Sequence, residues 1–419
     1  MTRKHNTTRG QSRLALGPLL CFAAAALSGC AAPSTTPQQG RLLITLEDPT
    51  TSPEAFVGLS GGEVERHDVG GLTIFDLPLP DPADEAALVN YQQVTVSNSA
   101  LRAQGAVALS PNGRFALVAG DEGVTLVDLQ GPAARIVGAV EVGGTPVSVA
   151  FHPEGRLAAA LSAEDASLRL LEVSAEGVRV LESWPLGWSL GDDAAPSSIA
   201  WHPGGYFIGL TLPGRNQAAF LEFQERSGAY TVRPWGRATP TGRRPVQGMW
   251  SPDGRFFITA DRRWSDADEG VRVYQGGGSI TVIRVSDTID LGGDLGHDRA
   301  DRMTLPLAPD AIAISPDGRR LVIASRRADD VGRPGAEREG GRLTLLGFDR
   351  ARGGLTGLDE KRAGSLASAL AFDPAGRTLF VTDLGNSEVQ MWRIDRERLV
   401  YTGVNITTGR SPHGVVVAP

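Results

Sequence analysis

Apolar residues in this chain come in short runs, and a recurring polar phrase separates them in pairs. Val147 to Phe151 precedes His-Pro-Glu-Gly, and Ala311 to Ile314 precedes Ser-Pro-Asp-Gly. Phe256 to Ala260 follows one such phrase, and Thr378 to Thr382 follows another. The proline presets φ for a turn and the glycine two residues on accepts positive φ, so each unit predicts a strand, a tight turn and a returning strand. A third run follows in each unit, as in Leu168 to Glu172, Ile280 to Arg284 and Val389 to Arg393. A weaker fourth closes several units, for example Leu399 to Thr402. Runs this short, bounded by Gly and Pro, exclude a helical solenoid.

The phrase prolines are 111, 153, 203, 252, 316, 374 and 419. Four short strands per repeat of roughly 40–50 residues is the blade of a β-propeller. The longest intervals, from 252 to 316 and from 316 to 374, therefore carry insertions. The last copy, Ser411-Pro-His-Gly-Val-Val-Val-Ala-Pro419, supplies one strand with nothing after it. Near the N-terminus, Ala55 to Ser60, Leu72 to Asp76 and Gln93 to Val96 read as strands two to four. The expected fold is thus all-β: a seven-bladed β-propeller of four-stranded blades, closed by N- and C-terminal strands sharing one blade. Closure of this kind removes raw sheet edges. Arg41 to Leu46 is left over, either as an extra edge strand or as a competitor for the inner position.

Residues 1–29 are excluded from the fold. Arg3, Lys4, Arg9 and Arg13 precede an apolar run from Leu14 to Leu27, which is short for a membrane span. The run ends in Leu27-Ser28-Gly29-Cys30, which resembles the lipobox of bacterial lipoprotein precursors. That resemblance implies acylation of Cys30, a flexible tether over 30–40 and a propeller over 41–419, on the periplasmic or extracellular side of the envelope. Cys21 falls in the leader, so the mature chain holds no pair for a disulfide. The formal net charge of -7 becomes about -11 once the four basic residues go. A general basic surface for nucleic acid or anionic membrane is not expected.

Phe372-Asp-Pro-Ala-Gly-Arg-Thr-Leu-Phe-Val-Thr-Asp383 and Thr408-Gly-Arg-Ser-Pro-His-Gly-Val-Val-Val417 resemble the repeats of bacterial YVTN-type propellers. This is the group that includes the seven-bladed lactonase-like proteins. The resemblance covers about 105–419 and implies the fold. These phrases are turn and strand chemistry, shared by propellers that hydrolyse lactones, support redox enzymes or bind partners.

Blade topology puts the phrase turns on one face. Loops joining strand two to three, and one blade to the next, emerge on the other. That second face carries long insertions at 61–70, 184–196, 261–277 and 325–341, and long loops on a rigid scaffold are the expected binding surface. Within it, Arg262, Arg263, Trp264 and Tyr274, with Arg326 and Arg327, combine guanidinium forks with aromatic rings. Such groups grip carboxylates or phosphates and stack on sugars. Asp310 and His413 hold equivalent positions at the start of strand one, where other blades carry Gly105, Val147, Ser197, Val246 and Ser368. They are the candidate catalytic pair at the channel mouth. Asp290, Asp294 and Asp298 lie in a carboxylate-rich insertion without the D-x-[DN]-x-[DN]-G order of a calcium loop, on the phrase-turn face. Gly58-Leu-Ser-Gly-Gly62 matches G-x-S-x-G but lacks the strand–turn–helix a nucleophile elbow needs. His152 and His202 read as turn residues.

No dinucleotide fingerprint, Walker loop, zinc motif or C-x-x-C-H occurs, and no cofactor is expected. The reading that follows is a lipid-anchored envelope propeller, binding a protein or small molecule through its long-loop face, without nucleic acid. The alternative is a lactonase-like hydrolase of sugar lactones at the channel mouth. A propeller supporting a periplasmic redox enzyme is a third.

Overall fold

A strand whose two faces are both covered must be largely apolar, and the second strands of the repeats approach that condition. Phe115–Gly120, Leu157–Ser162, Phe207–Leu212 and Phe256–Asp261 are buried at every position, whereas a fourth strand such as Arg135–Val140 is buried at none. In the computed structural model, seven antiparallel blades of four strands, the third with a further two-residue strand at Thr239–Pro240, stack face to face around a ring. The residues described are 41–46, 69–77, 91–97, 104–121, 123–187, 195–263, 265–266, 272–273, 277–286, 296–326, 340–409 and 412–418.

The inner strands of blades 1 to 7 are Val107–Leu109, Pro146–Phe151, Ser198–Trp201, Pro245–Trp250, Ala308–Ile314, Ala367–Phe372 and Gly414–Ala418. Each blade buries its apolar side chains against the next. Leu157, Leu170, Ile208 and Leu221, for example, form one continuous layer between blades 2 and 3. Cross-blade hydrogen bonds add register. The amide of Ile199 donates to Ser148 Oγ (3.2 Å), that of Gly248 to Ser198 Oγ (2.9 Å) and that of Ile312 to Gln247 Oε1 (2.8 Å).

The ring closes as expected, in a sheet ordered Tyr91–Ser97, Val69–Asp76, Arg41–Leu46, Gly414–Ala418. One expectation is corrected. Arg41–Leu46 is not left over but is the second strand of blade 7, pairing Thr45 with Gly414 and Arg41 with Ala418. Leu42, Leu43 and Ile44 are wholly buried there, which is the burial a second strand requires. The run from Ala55 to Ser60, read as that strand, lies outside the described residues, as does Gly58 to Gly62.

The turn phrases do as their composition predicts, in two chemical versions. In Ser110, Ser251 and Ser315 the hydroxyl accepts the amide five residues on, at 2.8–3.0 Å, and bonds the Asn or Asp two residues on. His152 and His202 instead reach across to the next blade. Nδ1 accepts the turn amide of Glu154 (3.2 Å) or Gly204 (2.8 Å), and Nε2 meets the carbonyl of Gly205 or Gly254 at 3.1 Å.

Candidate functional site: the channel mouth on the long-loop face

Inner strands run from the loop face down to the phrase turns, so their first residues line the channel mouth. In four blades the pairing slips by one residue there, between Pro146 and Ser148, Pro245 and Gln247, Pro309 and Ala311, and Ala367 and Ala369. The residues bulged out of the ladder are Val147, Val246, Asp310 and Ser368. A bulge re-aims a side chain and raises local twist. Their counterparts Gly105, Ser197 and His413 sit just before the inner strand of their blades. The equivalence read from the repeats is therefore structural.

Most of this ring is committed to holding blades together. Ser197 Oγ pairs with Thr211 Oγ1 (2.9 Å) and donates to the Pro245 carbonyl of the next blade (3.1 Å). Ser368 Oγ repeats the device with Thr382 Oγ1 (2.8 Å) and the Pro412 carbonyl (3.1 Å). At Gly105 a Cβ would stand 2.4 Å from Ser148 Oγ, so a larger residue would force Ser148 to move.

Asp310 is different. Its carboxylate is nearly sealed, at 3% side-chain exposure, and two guanidinium groups close on it. Arg262 arrives from the second strand of blade 4 and contacts Oδ1; Arg326 arrives from the second strand of Asp310's own blade and contacts Oδ2. A buried carboxylate needs such partners, because desolvation otherwise exceeds what one attraction returns. The triad carries one net positive charge, and the Arg262 and Arg326 side chains are mostly but not wholly buried (23% and 16% exposed). Three residues singled out from sequence for two different roles thus form one unit. Arg263, beside them, is exposed. Trp264, Tyr274 and Arg327 lie outside the described residues.

His413 is buried (1%), and its amide donates to the Thr45 carbonyl at 3.1 Å. It belongs to blade 7 and Asp310 to blade 5, so all of blade 6 stands between them. Of the carboxylates proposed for a cation, Asp298 opens a fourth strand opposite Arg284, while Asp290 and Asp294 lie outside the described residues. No group of three or more potential metal ligands occurs among the described residues.

A residue that the sequence reading passed over supports the site from below. Asp261, adjacent to Arg262, is 1% exposed. Oδ1 accepts from Thr259 Oγ1 (2.7 Å); Oδ2 accepts from Thr281 Oγ1 (2.6 Å), Ser279 Oγ (3.0 Å) and the Gly242 amide (3.0 Å). Burial pushes its carboxyl up to about 6, against the pull of these donors. It fastens both ends of the insertion that begins at Arg262, since Ser279 stands at the far end. The signal was an acidic residue closing an apolar strand, as also in Thr378–Asp383. There Asp383 accepts the amides of Ser365 (2.8 Å), Leu366 (2.9 Å) and Gly385 (3.1 Å).

No protein-family model matches the chain, and no curated protein matches it in sequence. Solved structures do. The Pseudomonas aeruginosa periplasmic gluconolactonase superposes with a TM-score of 0.63 at 16% identity, covering 91% of this chain and 99% of the other. A protein from Lactobacillus plantarum gives 0.63 at 15%, covering 91% and 100%. Kuenenia stuttgartiensis hydrazine synthase gives 0.54 at 17%, covering 76% and 90%. The likeness is one of fold: this chain has the architecture of lactonase-like seven-bladed propellers.

Proposed function

We propose that this chain is an envelope propeller, lipid-anchored through Cys30, that binds an anionic ligand or partner at the channel mouth of its long-loop face. The observation that carries the reading is the Arg262–Asp310–Arg326 triad. Its carboxylate is occupied on both oxygens, so Asp310 is poorly placed to act as a general base, which must reach a substrate proton. Its guanidinium groups are instead pre-oriented, with a net positive charge at a rim. Forks held in this way bind carboxylate or phosphate with little further ordering. Titration of the purified protein with sugar acids and sugar phosphates tests this. Saturable binding that weakens at least tenfold in Arg326→Gln is expected; affinity unchanged in that variant would exclude the triad as the seat. Acylation is tested by mass spectrometry of the mature N-terminal peptide, and an unmodified Cys30 would remove the anchor.

A second reading, a hydrolase of sugar lactones, draws its support from the architecture shared with a periplasmic gluconolactonase. His413 is then the first residue to test, because Asp310 is held in ion pairs. Turnover of a sugar-lactone panel that is lost in His413→Ala and kept in Asp310→Asn would favour it. Absence of turnover by the clean protein would dispose of it.

A further inference from the structure

An arginine follows the turn phrase in five of its six complete copies, as Arg114, Arg156, Arg255, Arg319 and Arg377. Blade 3 departs from this pattern twice. Tyr206 stands in the arginine's place, and Gly204 stands where the other copies carry Asn112, Glu154, Asp253, Asp317 and Ala375. The two departures belong together. A Cβ at Gly204 would lie 2.3 Å from the Tyr206 ring, so a side chain there would push the ring off the turn. Gly204 is not at positive φ, so room for the ring, and not chain conformation, accounts for the glycine. Tyr206 lies against the His202 ring (centroids 4.6 Å apart) and nearly perpendicular to Phe207 (4.9 Å, 76°). Arg114 and Arg255 cover the phenylalanine that follows them with a guanidinium, at 4.7 and 5.9 Å. Tyr206 covers Phe207 with a ring instead and, at 48% exposure, presents an aromatic surface to solvent.

That ring lines a cleft of about 420 Å³ between blades 3 and 4 on the turn face, within the roughly 300–1,000 Å³ of small-molecule sites. His202 ties the two walls together, since its ring carries Tyr206 while Nε2 meets the Gly254 carbonyl of blade 4 at 3.1 Å. The blade 4 wall contributes Asp253, Arg255, Arg284 and Asp298. Among the described residues the cleft's two carboxylates match its two guanidinium groups, so net charge favours neither an anion nor a cation. Acceptor capacity remains in both carboxylates. Asp253 takes the Ser251 hydroxyl (2.6 Å) and the Arg255 amide (3.3 Å) on Oδ1, and Oδ2 has only a 3.7 Å contact with Arg350. Asp298 is exposed. Arg284 is steadied by the carbonyls of Ala351 (3.4 Å) and Arg352 (3.3 Å) and by the Phe256 ring (5.1 Å). A carboxylate only accepts and a guanidinium only donates, so the two together satisfy hydroxyl groups in both senses. An aromatic surface flanked by such a set matches a molecule with an apolar C–H face and a rim of hydroxyls.

We infer that this cleft is a binding site for a neutral saccharide, with one sugar ring laid on Tyr206 and its hydroxyls shared among Asp253, Asp298, Arg255 and Arg284. It lies on the face opposite the Arg262–Asp310–Arg326 triad and takes an uncharged ligand, so the two sites are independent. The test titrates the purified chain with cellobiose and N,N′-diacetylchitobiose, followed by ligand-observed NMR. Saturable binding of at least one of them is expected. Tyr206→Arg and Gly204→Asp each install a residue that other blades already carry at that place, so both variants should melt with the parent. Each should weaken binding about tenfold, the worth of one stacked ring. Tyr206→Phe keeps the ring and should bind within about twofold of the parent. Absence of saturable binding by both disaccharides overturns the proposal, as does affinity that survives Tyr206→Arg. Loss of the binding in Arg326→Gln would place the sugar at the channel mouth instead, and would overturn it equally. So would a preference for glucuronate over glucose, which a cleft of balanced charge does not supply.

Discussion

Asp261 shows how one side chain couples burial, hydrogen bonding and pH. Its carboxyl is pushed up to about 6 in the fold, against about 3.9 in an unfolded chain. The fold therefore binds the proton more tightly than the unfolded chain does. The stability tied to that proton is complete below about pH 4 and is lost as pH rises through about 6. A shift of this size is worth roughly 3 kcal/mol. Asp261→Asn keeps the geometry: its carbonyl can accept from Gly242, Ser279 and Thr281 while its amide donates to Thr259. The variant should match the parent at pH 4 and exceed it at pH 7.5 by up to about 3 kcal/mol, read from denaturant midpoints. An advantage over the parent no larger at pH 7.5 than at pH 4 would contradict this account. His152 titrates in the opposite sense. Desolvation lowers its ring pKa below the usual 6.5, and Nδ1 must stay unprotonated to accept the Glu154 amide. Its contribution is present above pH 6.5 and lost as pH falls through the lowered value. His152→Ser should cost about 1 kcal/mol at pH 8, the worth of the bond to Gly205, and progressively less toward pH 5.

At the scale of the strand, the dominant constraint is that blades stack closely enough to select glycine. Gly209, in the buried second strand of blade 3, faces the ring of Phe257 in blade 4, and a Cβ there would lie 2.3 Å from that ring. Gly209→Ala should therefore destabilise by about 1–3 kcal/mol through overpacking. Adding Phe257→Leu should recover part of the loss, although Phe257→Leu alone is destabilising. Simple additivity in that cycle would mean that the two strands are not in contact. This level of detail was only partly legible beforehand. Apolar runs and turn phrases identified strands one to three of the blades, because burial on both faces and a positive-φ glycine leave direct marks in composition. The bulges at Val147, Val246, Asp310 and Ser368 left no such mark, since a bulge is a relation between two strands. Arg262 and Arg326 converge on Asp310 across some fifty and sixteen residues of chain respectively, so sequence marked them as separate candidates and only the fold joined them.

For the whole molecule, the truncated repeat has the largest consequence. Sequence alone leaves Arg41–Leu46 unplaced, because three aliphatics in a row suit either an extra edge strand or the inner position. Its pairing on one side with Gly414–Ala418, and on the other with Val69–Asp76, decides the matter. The inner strand of blade 7 is thus supplied by residues more than 360 positions away in the chain. Removing residues 411–419 should leave Arg41–Leu46 as an open edge and Leu43 and Ile44 without their cover, so thermal unfolding should come at a lower temperature and lose sharpness. Because the vacancy has the shape of one strand, a synthetic peptide of residues 411–419 should refill it by strand addition. Stabilisation should then grow with the logarithm of peptide concentration above its Kd, reaching about 2.7 kcal/mol at a hundredfold excess over Kd. A peptide with Val415 and Val416 replaced by Asp should give no shift. If the shortened chain melted like the parent, or ignored the peptide, the ring would not depend on this closure.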